Sequence, residues 1–98
     1  MFIKIHNSYR DVIAICDSNL IGKKFEQNNL QLDIIEDFYK GEEKTPEEIK
    51  QIIQKAIEKD SIFNIVGEDS VALAIEIGLI DKENVKKIQG IPLALSLL

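Results

Sequence analysis

The feature that most constrains the fold is Ile62 to Val66, five consecutive residues rich in β-branched and aromatic side chains, closed by Gly67 and followed by the apolar stretch Ser70 to Ile77. A short apolar run that stops at glycine predicts a buried strand. The stretch after it is apolar on nearly every side and predicts a buried helix. This strand and helix are the expected core.

The rest of the chain is read around that unit. Phe2 to His6 and Val12 to Cys16 alternate as strands around a turn at Asn7 to Asp11. Keeping Ile3, Ile5, Ile13 and Ile15 on one face requires paired residue numbers with an even sum; a sum of 18, with a three-residue loop at Ser8 to Arg10, sets Phe2 opposite Cys16 and His6 opposite Val12. Asp17-Ser18-Asn19 is a turn or cap signal leading into Leu20-Ile21-Gly22. Lys23 to Gln27 and Leu30 to Ile35 flank Asn28-Asn29, which predicts a second hairpin on a type I′ turn, with Phe25 opposite Leu32 and Lys24 opposite Asp33. Glu36 to Lys44 is expected to be a polar connector. Thr45, Pro46 and Glu48 then form a capping-box pattern, and Ile49, Ile52, Ile53, Ala56 and Ile57 recur at helical spacing over Pro46 to Lys59. Gly78 marks the end of the buried helix, Val85 to Gln89 predicts a further strand, and Gly90 and Pro92 break it.

The fold class that follows is α+β: two N-terminal antiparallel hairpins, an amphipathic helix and a C-terminal β-α-β unit, with helices on one face of a single mixed sheet. Residues 1–98 are expected to be one domain. No apolar stretch reaches the roughly 18 residues of a membrane span, no signal-peptide core is visible, and the single cysteine precludes an intrachain disulfide. A cytoplasmic location is the expectation.

The net charge of −5 disfavours binding to nucleic acid by phosphate neutralisation alone. Most of that charge lies in the first half, where ten acids stand against six bases. RNA contact therefore has only the weak support of Lys23-Lys24 and of a basic patch of Lys82, Lys86 and Lys87, with Phe38 or Tyr39 as a stacking partner.

Taken in order, Cys16-Asp17, Leu20 to Phe25, Phe38-Tyr39 with Gly41-Glu42, Asn64 to Glu68 and the close from Val85 to Pro92 resemble the small archaeal proteins grouped as domain of unknown function family 424. The resemblance covers essentially the whole chain. It implies a single-domain cytoplasmic protein with no established activity, cofactor or catalytic residue, and it favours a ribosome-associated role. The motif positions it singles out are Cys16, Asp17, Gly22, Lys23, Tyr39, Asn64, Gly67 and Glu68.

Each candidate has a plain structural reading beside the functional one. Cys16-Asp17 has the composition of a nucleophile beside an acid, but the only histidine, His6, lies about four residue steps along the hairpin, roughly 13 Å at ~3.3 Å per residue. A structural cysteine and a turn or cap aspartate are expected. Gly67 at a strand-to-helix junction resembles an anion site, but Glu68 and Asp69 already occupy the helix start and are expected to satisfy its dipole. The acids Glu36, Asp37, Glu42, Glu43, Glu47 and Glu48 lack calcium-loop spacing and are read as a solvated face or a docking patch. Leu93 to Leu98 closes the core or pairs with a second subunit, the first being favoured. The functional expectation is a non-catalytic interaction module with a protein or ribonucleoprotein partner and no cofactor, metal or membrane. The alternative is a small enzyme or ligand-binding protein with a pocket near Cys16, Asp17 and His6.

Overall fold

The computed structural model describes residues 1–97. It begins with β1 (Phe2–His6) and β2 (Val12–Cys16), paired antiparallel with Phe2 opposite Cys16 and His6 opposite Val12, the register expected from the alternation of isoleucines. A 3₁₀ turn at Ser18–Leu20 leads to β3 (Lys24–Gln27) and β4 (Leu30–Asp33), with Phe25 opposite Leu32 and Lys24 opposite Asp33 as predicted. This hairpin forms a two-stranded sheet of its own rather than joining the main one. Its turn is not type I′, which needs positive φ at both central residues; only Asn28 has it, at φ 58°. Asn29 stays in the region that L-residues occupy without strain, and the register is unaffected.

The expected polar connector contains two small elements, α1 (Glu36–Tyr39) and β5 (Glu42–Glu43), the latter pairing with Phe2 and Ile3 of β1. Then comes α2 (Pro46–Ile57), opened by the predicted capping box: Glu48 N–H donates to Thr45 Oγ1 at 3.2 Å, and Thr45 N–H donates to Glu48 Oε1 at 3.1 Å. Replacing Thr45 with alanine removes an acceptor and an anchor from the first turn. A loss of about 1 kcal/mol is expected, seen as a fall in Tm of roughly 4–8 °C for a domain of this size.

The central unit follows as β6 (Ile62–Val66) and α3 (Glu68–Glu76), then β7 (Lys86–Ile88) and β8 (Ile91–Leu97). The main sheet has the order β5-β1-β2-β6-β8-β7, with β2 and β6 parallel and every other pair antiparallel. The strand-helix-strand expected between Ile62 and Gln89 is present, but β8 lies between its two strands. A tight turn explains how: Gln89 and Gly90 both have positive φ, at 51° and 78°, so β7 reverses directly into β8. The strand expected over Val85 to Gln89 does end before Gly90, but Pro92 lies inside the next strand, β8. Its carbonyl accepts from Gly67 N–H at 2.9 Å, so its ring nitrogen faces the place where β6 has already ended and no ladder bond is lost. Ala94 is buried in the core, so the C-terminal segment closes the chain's own sheet. Leu98 lies outside the described residues.

Two apolar layers cover the sheet. On one face α2 and α3 pack Ile49, Ile53, Val71 and Ala74 against Ile13, Ile15, Phe63 and Ile65. On the other, α1 and the β3-β4 hairpin set Leu32, Ile34 and Tyr39 over Ala14, Cys16 and Val66. The two long helices therefore share one face, and the short α1 lies on the opposite one. No helix among the described residues is long and apolar enough to cross a membrane.

Candidate functional site

The parallel pairing of β2 with β6 brings their C-terminal ends side by side, with Cys16 opposite Val66. Asp17 therefore arrives at the start of α3. One of its carboxylate oxygens accepts from the Ser70 N–H at 2.8 Å and from the Ser70 hydroxyl at 2.7 Å, and the other accepts from the Asp69 N–H at 3.1 Å. Asp17 makes no side-chain cap to its own 3₁₀ turn; it caps a helix 50 residues further on, whose N-cap, Gly67, has no side chain to do so. From sequence alone Glu68 and Asp69 are expected to fill this role. Both of those side chains are exposed, and the carboxylate at the positive end of the helix dipole is that of Asp17.

Gly67 is required by the same contact. Its φ is +110°, and a Cβ there would lie 2.2 Å from the Asp17 carboxylate carbon. Three of the motif positions, Asp17, Gly67 and the neighbouring Glu68, thus belong to one helix start. Gly22, with φ +82°, turns the chain from the 3₁₀ segment into β3, and Lys23 accepts at its carbonyl from Ile34 N–H. Lys23 is exposed, and Lys24 beside it pairs with Asp33 across the hairpin at 3.8 Å.

Cys16 is fully buried, and its thiol donates to the Asp17 carbonyl at 3.2 Å. Burial, followed by the nearby Asp17 charge, pushes the thiol from 9.0 up to about 12. Tyr39 is buried beside it; burial, then the neighbouring Cys16, pushes the phenol from 10.0 up to about 12. Its hydroxyl donates to Asn64 Oδ1 at 2.9 Å, which joins two further motif positions.

Both groups are neutral when protonated and release their protons more readily in the unfolded chain. Their preference for the native state is complete below about pH 9 and is lost as pH rises toward 12. Urea midpoints should therefore fall between pH 9 and 11, and Cys16 should react with a disulfide reagent at pH 8 only as fast as the protein opens. A midpoint flat to pH 11, or a fast native thiol, would contradict this burial.

His6 is not assembled with these groups. Its Nε2 contacts the Phe38 carbonyl at 2.8 Å and its ring stacks on Phe38 with centroids 4.6 Å apart. Cys16, Asp17 and His6 therefore share no pocket: the thiol faces the hairpin layer, the carboxylate faces α3, and the imidazole lies under α1. Among the described residues no group of three or more His, Cys, Asp or Glu side chains is placed to hold a metal ion.

The basic residues are also separated. Lys86 and Lys87 are consecutive in β7 and so point to opposite faces of the sheet, while Lys82 sits in the 3₁₀ turn before it. Lys86 shares a depression of about 380 Å³ with Asn64, Asn84 and Leu95, which is 59% exposed. Asn64 and Lys86 are 22 positions apart, and nothing in the sequence links them. Tyr39 is buried and Phe38 stacks on His6, so neither ring stands beside these lysines as a free platform.

A family profile described as Protein of unknown function (DUF424) matches residues 5–97. This chain belongs to that family. The DUF424 chain is also similar to a solved structure, described as the crystal structure of an uncharacterized conserved protein from Methanopyrus kandleri. The two superpose with a TM-score of 0.85 at 24% identity, over 96% of this chain and 87% of the other. That likeness establishes a shared fold. No curated protein matches the DUF424 chain.

Proposed function

We propose that this DUF424 chain is a non-catalytic interaction module of the cytoplasm that engages a protein or ribonucleoprotein partner, with the translation machinery as the partner pool. The observation that supports this reading is where its reactive groups go. The Cys16 thiol is buried, the Asp17 carboxylate accepts three hydrogen bonds, and the Tyr39 hydroxyl is bonded to Asn64. A thiol raised this far is a poor nucleophile, and a carboxylate used as a helix cap is not available as a general base. What remains for function is surface. The acids Glu36, Asp37, Glu42, Glu43, Glu47 and Glu48 are all exposed and offer a field to a basic partner.

The test is affinity capture of the tagged protein from its own cell extract at low and moderate salt, with and without ribonuclease, together with sedimentation of the ribosomal fraction. Co-sedimentation that weakens with salt is expected. Loss on ribonuclease treatment would place the contact on RNA, and persistence would place it on protein. An empty bait at low salt would overturn the reading.

A further inference from the structure

The sheet has one edge where a strand is only half covered. β5 pairs with Phe2 and Ile3 of β1 and stops at Glu42. Lys44 N–H donates to the Met1 carbonyl at 2.9 Å, which fixes the alternation: the peptide groups of Met1, Ile3 and Ile5 point outward, and those of Phe2, Lys4 and His6 point to β2. Extending the β5 register would set Lys40 opposite Ile5. Lys40 instead ends α1, and its N–H donates to the Glu36 carbonyl at 2.8 Å. The chain leaves the edge at Gly41, where a Cβ would lie 2.1 Å from the Ile3 carbonyl oxygen. Among the described residues nothing pairs with the outward N–H and C=O of Ile5.

Open edges are usually protected by charge on the strand itself. Here the strand's own charged and polar side chains are engaged elsewhere: Lys4 Nζ bonds to the Asp37 carbonyl and His6 to the Phe38 carbonyl, both on the α1 face, while the nearby Glu42 and Lys44 pair with each other at 3.1 Å. The side chain left at the edge is Ile5, 48% exposed. It stands over a groove between β1 and α2 made of two adjoining depressions of about 310 and 170 Å³, which share Ile5 and Ile52. Lys55 in the last turn of α2 and Lys59 in the turn just after it line the second depression together with one acid, Asp11, and neither lysine makes an ion pair among the described residues.

We propose that this groove takes an extended segment of a partner protein as an added strand on β1, one aliphatic side chain seated beside Ile5 and Ile52 and acidic residues facing Lys55 and Lys59. The proposal rests on the interaction-module reading and names its surface and the chemistry of its partner. Main-chain bonds to Ile5 supply the register, and the two lysines supply the choice of sign. A second copy fits the groove poorly, because its own β1, Phe2–His6, brings Lys4 and His6 and no acid.

The probe is a blocked heptapeptide alternating valine with threonine and carrying two glutamates at one end, made in both orientations, with two lysines in their place as control. Binding is followed by amide resonances and hydrogen exchange of the isotopically labelled protein. One glutamate peptide should bind with a Kd below about 1 mM and slow exchange at Ile5. The lysine control should bind at least about tenfold more weakly, as should the K55E/K59E variant, whose substitutions are on exposed positions. Ile5→Pro should abolish binding while the sheet persists, because the N–H it removes is not used in the ladder.

Equal binding of both peptides, no binding of any, or binding that leaves Ile5 exchange unchanged would overturn the proposal. So would a concentration-dependent dimer lost in Ile5→Pro, which would give the edge to a second copy. Partner capture from extract that survives both variants would leave the interaction module standing and remove this groove from it.

Discussion

Gly67→Ala should be among the most destabilising single substitutions in this protein, costing about 3–5 kcal/mol in urea unfolding. Two effects combine. At φ +110° an L-residue is strained by about 1–3 kcal/mol. The new methyl also meets a carboxylate group that cannot swing aside without releasing the Asp69 and Ser70 donors it holds, with 2.5 and 2.6 Å to its two oxygens. Relative to the roughly 5–15 kcal/mol that holds a small domain together, this is a large share. A loss below about 1 kcal/mol would mean that the helix start can rearrange around a side chain, and that the contact between β2 and α3 is less rigid than its geometry implies.

Asp17→Ala should cost about 3 kcal/mol, because it leaves two backbone N–H groups and the Ser70 hydroxyl without their acceptor at a site where Ser70 is 1% exposed. Asp17→Asn keeps one acceptor oxygen and should lose about half as much. The two sites are coupled. In the Asp17→Ala background the methyl of Gly67→Ala no longer has a carboxylate to displace, so the second substitution should cost about 1–2 kcal/mol less than it does alone. Strict additivity in that double-mutant cycle would show that strain at Gly67 comes from its own backbone and not from Asp17.

What could be read from the sequence was local. The register of β1 with β2 follows from four isoleucines that must share a face together with a three-residue loop at Ser8 to Arg10, and that of β3 with β4 from one apolar pair and one charge pair agreeing on the same turn. The capping box of α2 spans three residues and was equally plain. The insertion of β8 beside β6 depends on which strands meet in space, and no short-range pattern in Leu93 to Leu97 selects its neighbour. The link from Asp17 to Ser70 crosses 53 positions, so a reading based on nearby residues assigned Asp17 to the turn next to it and the helix start to Glu68 and Asp69. Ile5 shows the same limit from the other side. Its alternation with Ile3 correctly predicted a shared face, but whether that face is covered depends on where β5 stops.

The reach of Asp17 also bears on how the molecule opens. A helix of nine residues such as Glu68–Glu76 has little tendency to form alone in water. Its first turn is completed by a side chain that arrives only when β2 lies against β6. Fraying of α3 from its N-terminus and separation of the two central strands are therefore one event, and the amides of Ser70 and Val71 should exchange with solvent at the pace of the whole sheet rather than at that of a surface helix.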